Sequence, residues 1–294
     1  MAVTLCRLLA TDYWFVMNDF ASRMLRLDRR LIFLLITVVT FLPLLYPFGL
    51  PIRVSPEVQK IYDYVESLPE GSVVLLSLDF DPSSKPELYP MSVALLRHAF
   101  RKHLKVMGMT LWITGTGMAE SVFSQVAQES GKEKGTDYAF LGYAPGGANV
   151  IISMGQDLYA AFPTDYYGVK TADLPMLKEV RTLRDVRYTI SLSAGFPGLD
   201  TWYVYGKEKY GFELGGGCTA VSAPRFYPLI DTGQINGLLG GLRGAAEYET
   251  LLDMKGKAIA GMDAQSATHF LIIFLIMVCN LFYFLGGQRR EQRG

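Results

Sequence analysis

The sequence predicts an α/β domain with an open, mostly parallel sheet and helices on both faces, inserted between two transmembrane helices. Two observations predict the membrane segments: residues 31–52 and 267–287 are apolar runs long enough to cross a hydrocarbon core of roughly 30 Å. A third predicts the domain, since short apolar segments alternate with amphipathic ones between the runs. The 294-residue chain is 50% hydrophobic and 19% charged with a formal net charge of zero, which excludes a disordered polyelectrolyte.

The first apolar run predicts a transmembrane helix over residues 31–52, with arginines at both of its ends. The preceding residues, 1–30, mix apolar, aromatic and charged positions, and the aromatic cluster at 13–15 suits the lipid headgroup level. We therefore expect a cytoplasmic amphipathic segment that contacts membrane lipid. A cleaved signal peptide is disfavoured, because the run is too long for its hydrophobic region and no small-residue cleavage site follows.

The second apolar run predicts a transmembrane helix over residues 267–287, followed by a cytoplasmic basic tail at 288–294. Basic residues flank each run on the side nearer the chain terminus, and such residues favour the cytoplasmic side of a membrane. Two spans also require both termini to share one side. We therefore expect cytoplasmic termini and an extracytoplasmic domain over residues 53–266, anchored in the inner (plasma) membrane of a bacterial cell.

The central domain is predicted from strand-length and helix-length segments that alternate along the chain. The continuous apolar run at residues 72–80 is typical of a strand buried on both faces, and we expect it at the centre of the sheet. Further strands are predicted at residues 109–114, 138–143, 148–154 and 187–194, with less regular ones at 201–205 and 218–222. Helices are predicted at residues 55–68, 88–107, 118–129, 174–183 and 235–252. This order predicts a Rossmann-like domain, because helices that connect parallel strands cover both faces of the sheet.

The positions of cysteine and histidine disfavour the usual nucleophilic and zinc-dependent catalytic sites. The three cysteines fall in three separate segments, and only Cys218 lies in the central domain, so no disulfide framework is expected. Two of the three histidines lie in the basic helix predicted at residues 88–107, where we expect His98 to face largely outward. The third, His269, lies at the membrane edge, near the start of the second apolar run. No pair has the spacing of a zinc site.

Ligands of doubly wound sheets bind outside the carboxyl ends of the strands, so the residues that follow each strand are the candidates for binding. Asp79 and Asp81 follow the first strand and are two residues apart. If the strand continued, both carboxylates would point one way and would suit a divalent cation. The sequence therefore predicts a ligand-binding site here, with a turn that opens a polar loop as the alternative.

The same two aspartates carry a resemblance to a known enzyme family. The pattern resembles the first motif of haloacid-dehalogenase-type phosphatases, which implies that Asp79 is the nucleophile and Asp81 the acid. Ser83 stands where that motif usually has threonine or valine, and Thr114 would take the place of the second motif. No acidic pair downstream completes a metal site, since Asp231 stands alone. A metal-dependent extracytoplasmic hydrolase is the alternative function that follows.

Glycines follow the next two predicted strands. Gly115 and Gly117 join a strand to a helix, and their backbone N–H groups would suit a phosphate or carboxylate. Glu120 occupies the place of the third glycine of the dinucleotide fingerprint and would repel a pyrophosphate. Gly146 and Gly147 follow the third strand. Each pair is a candidate ligand-binding loop, and a tight turn is the alternative.

Small residues at helical spacing form a further candidate surface. Gly237, Gly241, Gly244 and Ala245 lie on one side of the helix predicted at residues 235–252, although glycine inside a helix costs up to about 1 kcal/mol. A smooth face of this kind allows another backbone to approach closely. The functional interpretation is contact with a partner subunit or the membrane surface, and the alternative is packing against the domain's own sheet.

The predicted function is that of a non-catalytic binding or scaffolding subunit of a larger membrane assembly, such as a transport, export or envelope complex. Anchoring at both ends suits lateral association with other membrane-protein subunits or with further copies of the chain. The arrangement looks similar to the auxiliary membrane subunits of some ABC export systems, although no motif is shared with them. We expect no cofactor and no nucleic-acid partner.

Overall fold

The computed structural model describes residues 28–287, with side chains to residue 281. The predicted basic tail and nearly all of the predicted amphipathic segment, residues 1–30, lie outside the described residues. The described chain forms two compact units. One comprises residues 28–48 and 263–287, and the other comprises residues 49–262.

The larger unit is an α/β domain that is built on a six-stranded sheet, in which every strand pair is parallel. The strands are β1 Val73–Asp79, β2 Lys105–Thr110, β3 Tyr138–Tyr143, β4 Tyr188–Ser193, β5 Glu213–Cys218 and β6 Leu238–Gly240. Their order is β3-β2-β1-β4-β5-β6, so β1 lies inside the sheet between β2 and β4. This order is that of a Rossmann-type sheet, and its direction reverses between β1 and β4. The predicted α/β class and the position of the first strand are confirmed.

Helices and short helical turns connect the strands. The α-helices are α1 Arg29–Leu45, α2 Pro56–Ser67, α3 Lys85–Arg101, α4 Thr116–Ser130, α5 Ala148–Gln156, α6 Leu158–Ala161, α7 Leu199–Trp202, α8 Glu208–Tyr210, α9 Tyr227–Asp231, α10 Gly241–Leu251 and α11 Lys257–Gly287. Single 3-10 turns occupy Ile113–Gly115, Thr171–Asp173, Pro175–Leu177, Leu183–Asp185 and Ala223–Arg225, and a π turn at Tyr203–Lys207 joins α7 to α8.

The hydrophobic core has two layers, one on each face of the sheet. Alternate residues of a strand point to opposite faces, so Val74, Leu76 and Leu78 of β1 join one layer while Val73 and Leu75 join the other. The first layer contains buried residues of α2, α3, α4 and α10, and the second contains those of α5, α6, α7 and α9. Helices therefore cover both faces of the sheet, as the sequence predicts.

Several predicted elements are wrong in type. Residues 148–154 form helix α5 and not a strand, because an apolar stretch of this length fits either structure and Gly146 and Gly147 turn the chain before it. Residues 201–205 lie in the end of α7 and the π turn that follows it, and the buried Leu199 and Trp202 of α7 have the spacing of three that is typical of a helix. The helix predicted at 174–183 consists of separate 3-10 turns.

Other predicted boundaries shift. Residues 235–252 contain strand β6 and helix α10, and the break falls at Gly241, whose φ of +61° is unsuited to a continuous helix. The helix predicted at 88–107 ends at Arg101 because its last residues belong to β2. The strand predicted at 218–222 ends at Cys218.

Two buried glutamates of α10 accept hydrogen bonds from residues at the starts of two other helices. Glu247 accepts hydrogen bonds from the backbone N and Oγ of Ser55, at 2.8 and 2.6 Å, immediately before α2. Glu249 accepts bonds from the backbone N atoms of Ala258 and Ile259, at 3.2 and 2.9 Å, in the first turn of α11. A carboxylate at a helix start satisfies amide groups that have no partner within the helix. Burial raises the pKa of Glu249, and the two amide bonds oppose that rise.

The smaller unit contains α1 and the distal part of α11. Helix α1 has 17 residues and ends at Leu45, seven residues before the predicted end, since Pro47 disfavours helical geometry in the residue before it. Helix α11 begins ten residues before the predicted start. Within the described residues, a single helix segment, Lys257–Leu281, is long and apolar enough to span a membrane. One of the two predicted spans therefore has structural support by length and composition.

Candidate functional site

The carboxyl ends of the strands are the place where a doubly wound sheet binds its ligands, at the point where the strand order reverses. We use the name carboxyl rim for the five loops that follow β1 to β5. They comprise residues 80–84, 111–117, 144–147, 194–198 and 219–224. The rim contains or adjoins the predicted ligand residues of the sequence.

Asp79, the last residue of β1, lies beneath the rim and is fully buried. Its Oδ1 accepts a hydrogen bond from the backbone N of Leu111 at 2.6 Å, and both its oxygens accept from Ser77 Oγ. Ser191 Oγ on β4 lies 3.4 Å from Oδ2. Through these hydrogen bonds the carboxyl group of Asp79 connects β1, β4 and the residue that follows β2, at the point where the strand order reverses.

The burial of Asp79 governs its protonation. Burial raises its pKa to about 7, while bonds from Leu111, Ser77 and Ser191 to the carboxylate limit the rise. The indole of Trp202 also lowers this pKa, but its Nε1 is buried without a hydrogen-bond partner of ordinary geometry. With this pKa, the buried carboxyl group of Asp79 gains or loses its proton near neutral pH.

Asp81 stabilises its own loop. Its Oδ1 accepts hydrogen bonds from the backbone N and Oγ of Ser83, at 3.0 and 2.6 Å, and from the same two atoms of Ser84, at 3.3 and 3.1 Å. These bonds lower the pKa of Asp81. Asp79 and Asp81 share no hydrogen-bond partner, and within residues 28–287 no three His, Cys, Asp or Glu side chains are grouped as a metal site would require.

The chain itself bridges the crevice at the point of reversal. The loop after β4 crosses the end of β1, since Trp112 Nε1, beyond β2, donates a hydrogen bond to the carbonyl of Pro197 at 2.7 Å. A Cβ atom added to Gly195 would lie 3.5 Å from the Trp112 ring, and one added to Gly147 would lie 3.8 Å from Pro197. The loops after β2, β3 and β4 therefore meet above Asp79.

The glycines predicted to bind a ligand have different surroundings. A Cβ atom on Gly115 would lie 2.7 Å from the carbonyl oxygen of Phe80, so glycine allows two loops to pack closely there. Gly117 faces open space. Gly146 and Gly147 have φ values of +129° and +54° and form the turn between β3 and α5. Three of the four thus have a conformational or packing role.

We expect Gly115→Ala and Gly117→Ala to have opposite effects on stability. The first change forces a methyl group against the Phe80 carbonyl and should lower the free energy of unfolding by about 1–3 kcal/mol. The second places alanine in an open helical position and should raise it by up to about 1 kcal/mol. Urea unfolding of the full-length protein, followed by tryptophan fluorescence, measures both. Equal stability of the two variants would contradict the close contact at Gly115.

The rim exposes large apolar side chains that sequence reasoning missed. Ile113 after β2 is 70% exposed, Phe196 after β4 is 73% exposed, and Val221 after β5 is 91% exposed. Asp81 is the single charged residue in the five rim loops, whereas charged residues make up 19% of the chain. Depletion of charge together with exposed apolar anchors is typical of the centre of a protein interface. The scarcity of charge in successive strand-end loops is the sequence signal for this surface.

A polar groove of about 370 Å³ adjoins the loop after β3. Its lining residues come from that loop and from α5 and α6, and they are Ala144, Pro145, Asn149, Val150, Ser153, Gln156, Asp157, Ala160 and Ala161. Asp157 within it accepts a hydrogen bond from the backbone N of Tyr159 and contacts Arg181 at 3.4 Å. The remaining amide and hydroxyl groups can hydrogen-bond an uncharged polar molecule.

The predicted partner-contact residues are buried against the chain itself. A Cβ atom on Gly237 would lie 2.3 Å from the carbonyl oxygen of Glu57, and one on Gly244 would lie 2.8 Å from the backbone of Leu239. Gly241 lies against Ala220 and Glu87, and Ala245 is fully buried. Contacts within the chain therefore explain why these positions hold small residues, because each glycine allows a neighbouring helix or loop to approach closely.

His98 is buried, in contrast to the outward orientation expected from its basic neighbours. Its Nδ1 lies 2.7 Å from the hydroxyl of Tyr248, and its Nε2 lies 2.9 Å from Glu66 Oε1. Burial lowers the pKa of His98, and Glu66 opposes this effect. Because Tyr248 is also fully buried, this chain of hydrogen bonds joins α2, α3 and α10 inside the domain, and it reaches the surface at the partly exposed Glu66.

Comparison with known proteins gives no family for this chain. No protein-family model matches the sequence, and no curated protein matches it with significant similarity.

Proposed function

We propose that this chain is a membrane-anchored, non-catalytic binding or scaffolding subunit of a larger membrane assembly, such as a transport, export or envelope complex. The observation that carries the proposal is a hydrogen bond that bridges the crevice at the point of strand reversal. The bond from Trp112 to the Pro197 carbonyl joins the loops after β2 and β4 across the place where a Rossmann-type sheet would hold a small ligand. The exposed apolar groups of the rim point instead to contact with another macromolecule.

Anchoring at both ends is part of the proposal. Helix α1, at 17 residues, lies at the lower limit for a transmembrane helix, and Thr40 Oγ1 lies 2.8 Å from Thr268 Oγ1 on α11. Both helices also expose large apolar side chains, among them Phe33 at 66% and Phe270 at 80%. These features support two adjacent helices surrounded by lipid. The orientation in the proposal, with both termini in the cytoplasm and the domain outside, rests on the arginines that flank each apolar run on its terminal side.

The alternative hydrolase receives less support. Asp79 has the position and raised pKa of a catalytic carboxyl, but it is fully buried. Asp81 Oδ1 accepts four hydrogen bonds from its own loop, so this carboxylate already has a structural role. A substrate would also have to reach the buried Asp79, so we favour the scaffolding function.

The size of the native particle tests the assembly. We expect the protein, extracted from its own membrane in a mild detergent, to elute as a particle well above the 32.7 kDa of one chain after correction for detergent. Light scattering with refractive-index detection gives the protein mass of that particle. A monomer of 32.7 kDa with no co-purifying partner would contradict the proposed function.

A further inference from the structure

The polar groove beside the loop after β3 lies at the carboxyl end of its strand, on the side of the sheet where Rossmann-type proteins bind ligands. Its volume of about 370 Å³ falls in the range of roughly 300–1,000 Å³ that is usual for small-molecule sites. The loop after β3 and the helices α5 and α6 supply its walls. The groove is therefore of a size and in a place that suit a small ligand.

Helix α5 gives the groove a polar wall. Asn149, Ser153 and Gln156 are four and three residues apart, so they lie on one face of the helix, and all three are exposed. None of these three side chains forms a hydrogen bond with any residue that the structure describes. Amide and hydroxyl groups both donate and accept hydrogen bonds. This wall therefore offers several donors and acceptors to one ligand.

Most of the remaining lining is small and apolar. Alanine side chains of α6 leave space for a flat ring to approach the helix, and the loop after β3 adds an alanine and a proline. Helix α6 is fixed in place, because the backbone N of its first residue donates a hydrogen bond to the carbonyl of Arg181 at 2.7 Å. A preformed wall of this kind loses little conformational entropy when a ligand binds. The apolar lining residues are Ala144, Pro145, Val150, Ala160 and Ala161.

The charge of the groove favours an uncharged ligand. Asp157 is the single charged residue among the described residues that line it. Its Oδ1 accepts a hydrogen bond from the backbone N of Tyr159 at 2.9 Å, and its Oδ2 lies 3.4 Å from the guanidinium group of Arg181. A cation would be repelled by Arg181, and an anion would meet the Asp157 carboxylate with no lysine or arginine in the lining.

A sugar ring has both properties that the groove requires. Its hydroxyl groups each donate and accept hydrogen bonds, as the side chains of Asn149, Ser153 and Gln156 do. Its C–H face is apolar and suits the alanine side chains. A wholly apolar ligand fits less well, because it would displace water from the polar wall and leave those groups without partners. The volume suits about one or two sugar rings.

We propose that the groove between α5 and α6 is a binding site for a neutral saccharide. Asn149, Ser153 and Gln156 are its hydrogen-bonding residues, and Ala160 and Ala161 form the surface against which the ring packs. This inference goes beyond the proposed function, because all the residues of the site belong to one chain and require no assembly.

Saturation-transfer difference NMR on the full-length protein tests the site. The protein is kept in a detergent that has no sugar headgroup. The probes are glucose, galactose, N-acetylglucosamine and maltose, each at up to about 10 mM, so that a Kd of about 1 mM is detected. We expect at least one of the four sugars to receive saturation, most strongly at its ring C–H protons.

Two variants should weaken this binding in different ways. Asn149→Ala with Gln156→Ala removes two hydrogen-bonding side chains and should raise the Kd at least tenfold. Ala160→Trp fills the groove and should abolish the signal while the circular dichroism spectrum stays that of the wild type, because Ala160 is exposed. The matched control, Gln128→Ala with Ser130→Ala, changes two exposed polar residues of α4 and should leave the Kd unchanged.

Each contrary outcome has a separate meaning. Failure of all four sugars to bind would overturn the proposal. Binding that survives both groove variants would place the sugar on a different surface. Equal binding of glucose 6-phosphate would contradict the preference for an uncharged ligand, and binding of trialanine instead of the sugars would overturn the saccharide in favour of a peptide. None of these results changes the particle mass, so the proposed assembly would stand or fall separately.

Discussion

Replacing Glu249 by alanine should destabilise the domain by about 2–6 kcal/mol, because two buried backbone donors lose their acceptor at once. The carboxylate is 3% exposed and accepts hydrogen bonds from the backbone N atoms of Ala258 and Ile259. Alanine leaves both donors unsatisfied, and each such group costs about 1–3 kcal/mol. Urea unfolding of the full-length protein in detergent, followed by tryptophan fluorescence, gives the change in the free energy of unfolding.

Thr250→Ala is the matched control for this experiment. Thr250 follows Glu249 on α10 but is exposed, so its replacement should change the free energy of unfolding by less than about 0.5 kcal/mol. A loss below about 1 kcal/mol for Glu249→Ala would mean that the first turn of α11 does not depend on this carboxylate.

Asp79→Asn should remove a large pH dependence of stability. The pKa of Asp79 is raised in the folded state to about 7, so between pH 4 and 7 the folded protein retains a proton that the unfolded chain releases. The contribution of this group to the free energy of unfolding is therefore greatest below about pH 4, and it falls as the pH rises to about 7. Asparagine retains an acceptor for Leu111 and carries no proton to lose. The free energy of unfolding of the variant, relative to that of the wild type, should rise by about 2–3 kcal/mol between pH 5 and pH 8.

Asp79→Ala separates the hydrogen bond from the charge. It leaves the buried N–H of Leu111 without its acceptor and should be less stable than Asp79→Asn by about 1–3 kcal/mol at every pH. Unfolding of the three proteins at pH 5, 6, 7 and 8 provides the comparison. A difference between wild type and asparagine that does not change with pH would mean that Asp79 is already ionised in the folded protein at pH 5.

The α/β class could be predicted because the strands have a local signature. Residues 72–80 are a continuous apolar run, and this composition suits a strand buried on both faces. The same property misled the assignment at 148–154, where an apolar stretch folds as helix α5. Periodicity does not separate a buried strand from a short buried helix, and Gly146 and Gly147 are the local signal that a turn comes first.

The chemistry of Asp79 could be predicted only in part. Its position at the end of β1 follows from the apolar run before it. The role of its carboxylate as a hydrogen-bond acceptor does not follow from the local sequence. Its partner Leu111 is 32 residues away, and only the pairing of β1 with β2 brings the two residues together. The sequence likewise places Glu249 on an amphipathic helix as though it were a surface residue.

The exposure of Phe196 and Val221 could not be predicted from either residue alone, since one apolar residue in a loop is as often buried as exposed. The scarcity of charge in these loops becomes informative only when the loops are known to lie at one edge of the sheet. That knowledge depends on strand order, which is a property of long-range pairing.

Membrane topology tests the proposed two-ended anchoring most directly, because it distinguishes a fixed scaffold from a domain on one tether. Reporters fused before Met1 and after Gly294 give the location of each terminus. A single accessible cysteine at Val221→Cys, with Cys6 and Cys279 changed to serine, gives the location of the rim. Cys218 can remain, because burial raises the pKa of its thiol to about 12.

We predict that both terminal reporters are active in the cytoplasm and that an impermeant maleimide labels Val221→Cys from outside intact cells. Termini on opposite sides of the membrane would contradict the account, because α11 would then be the sole span and the domain would be held at one end.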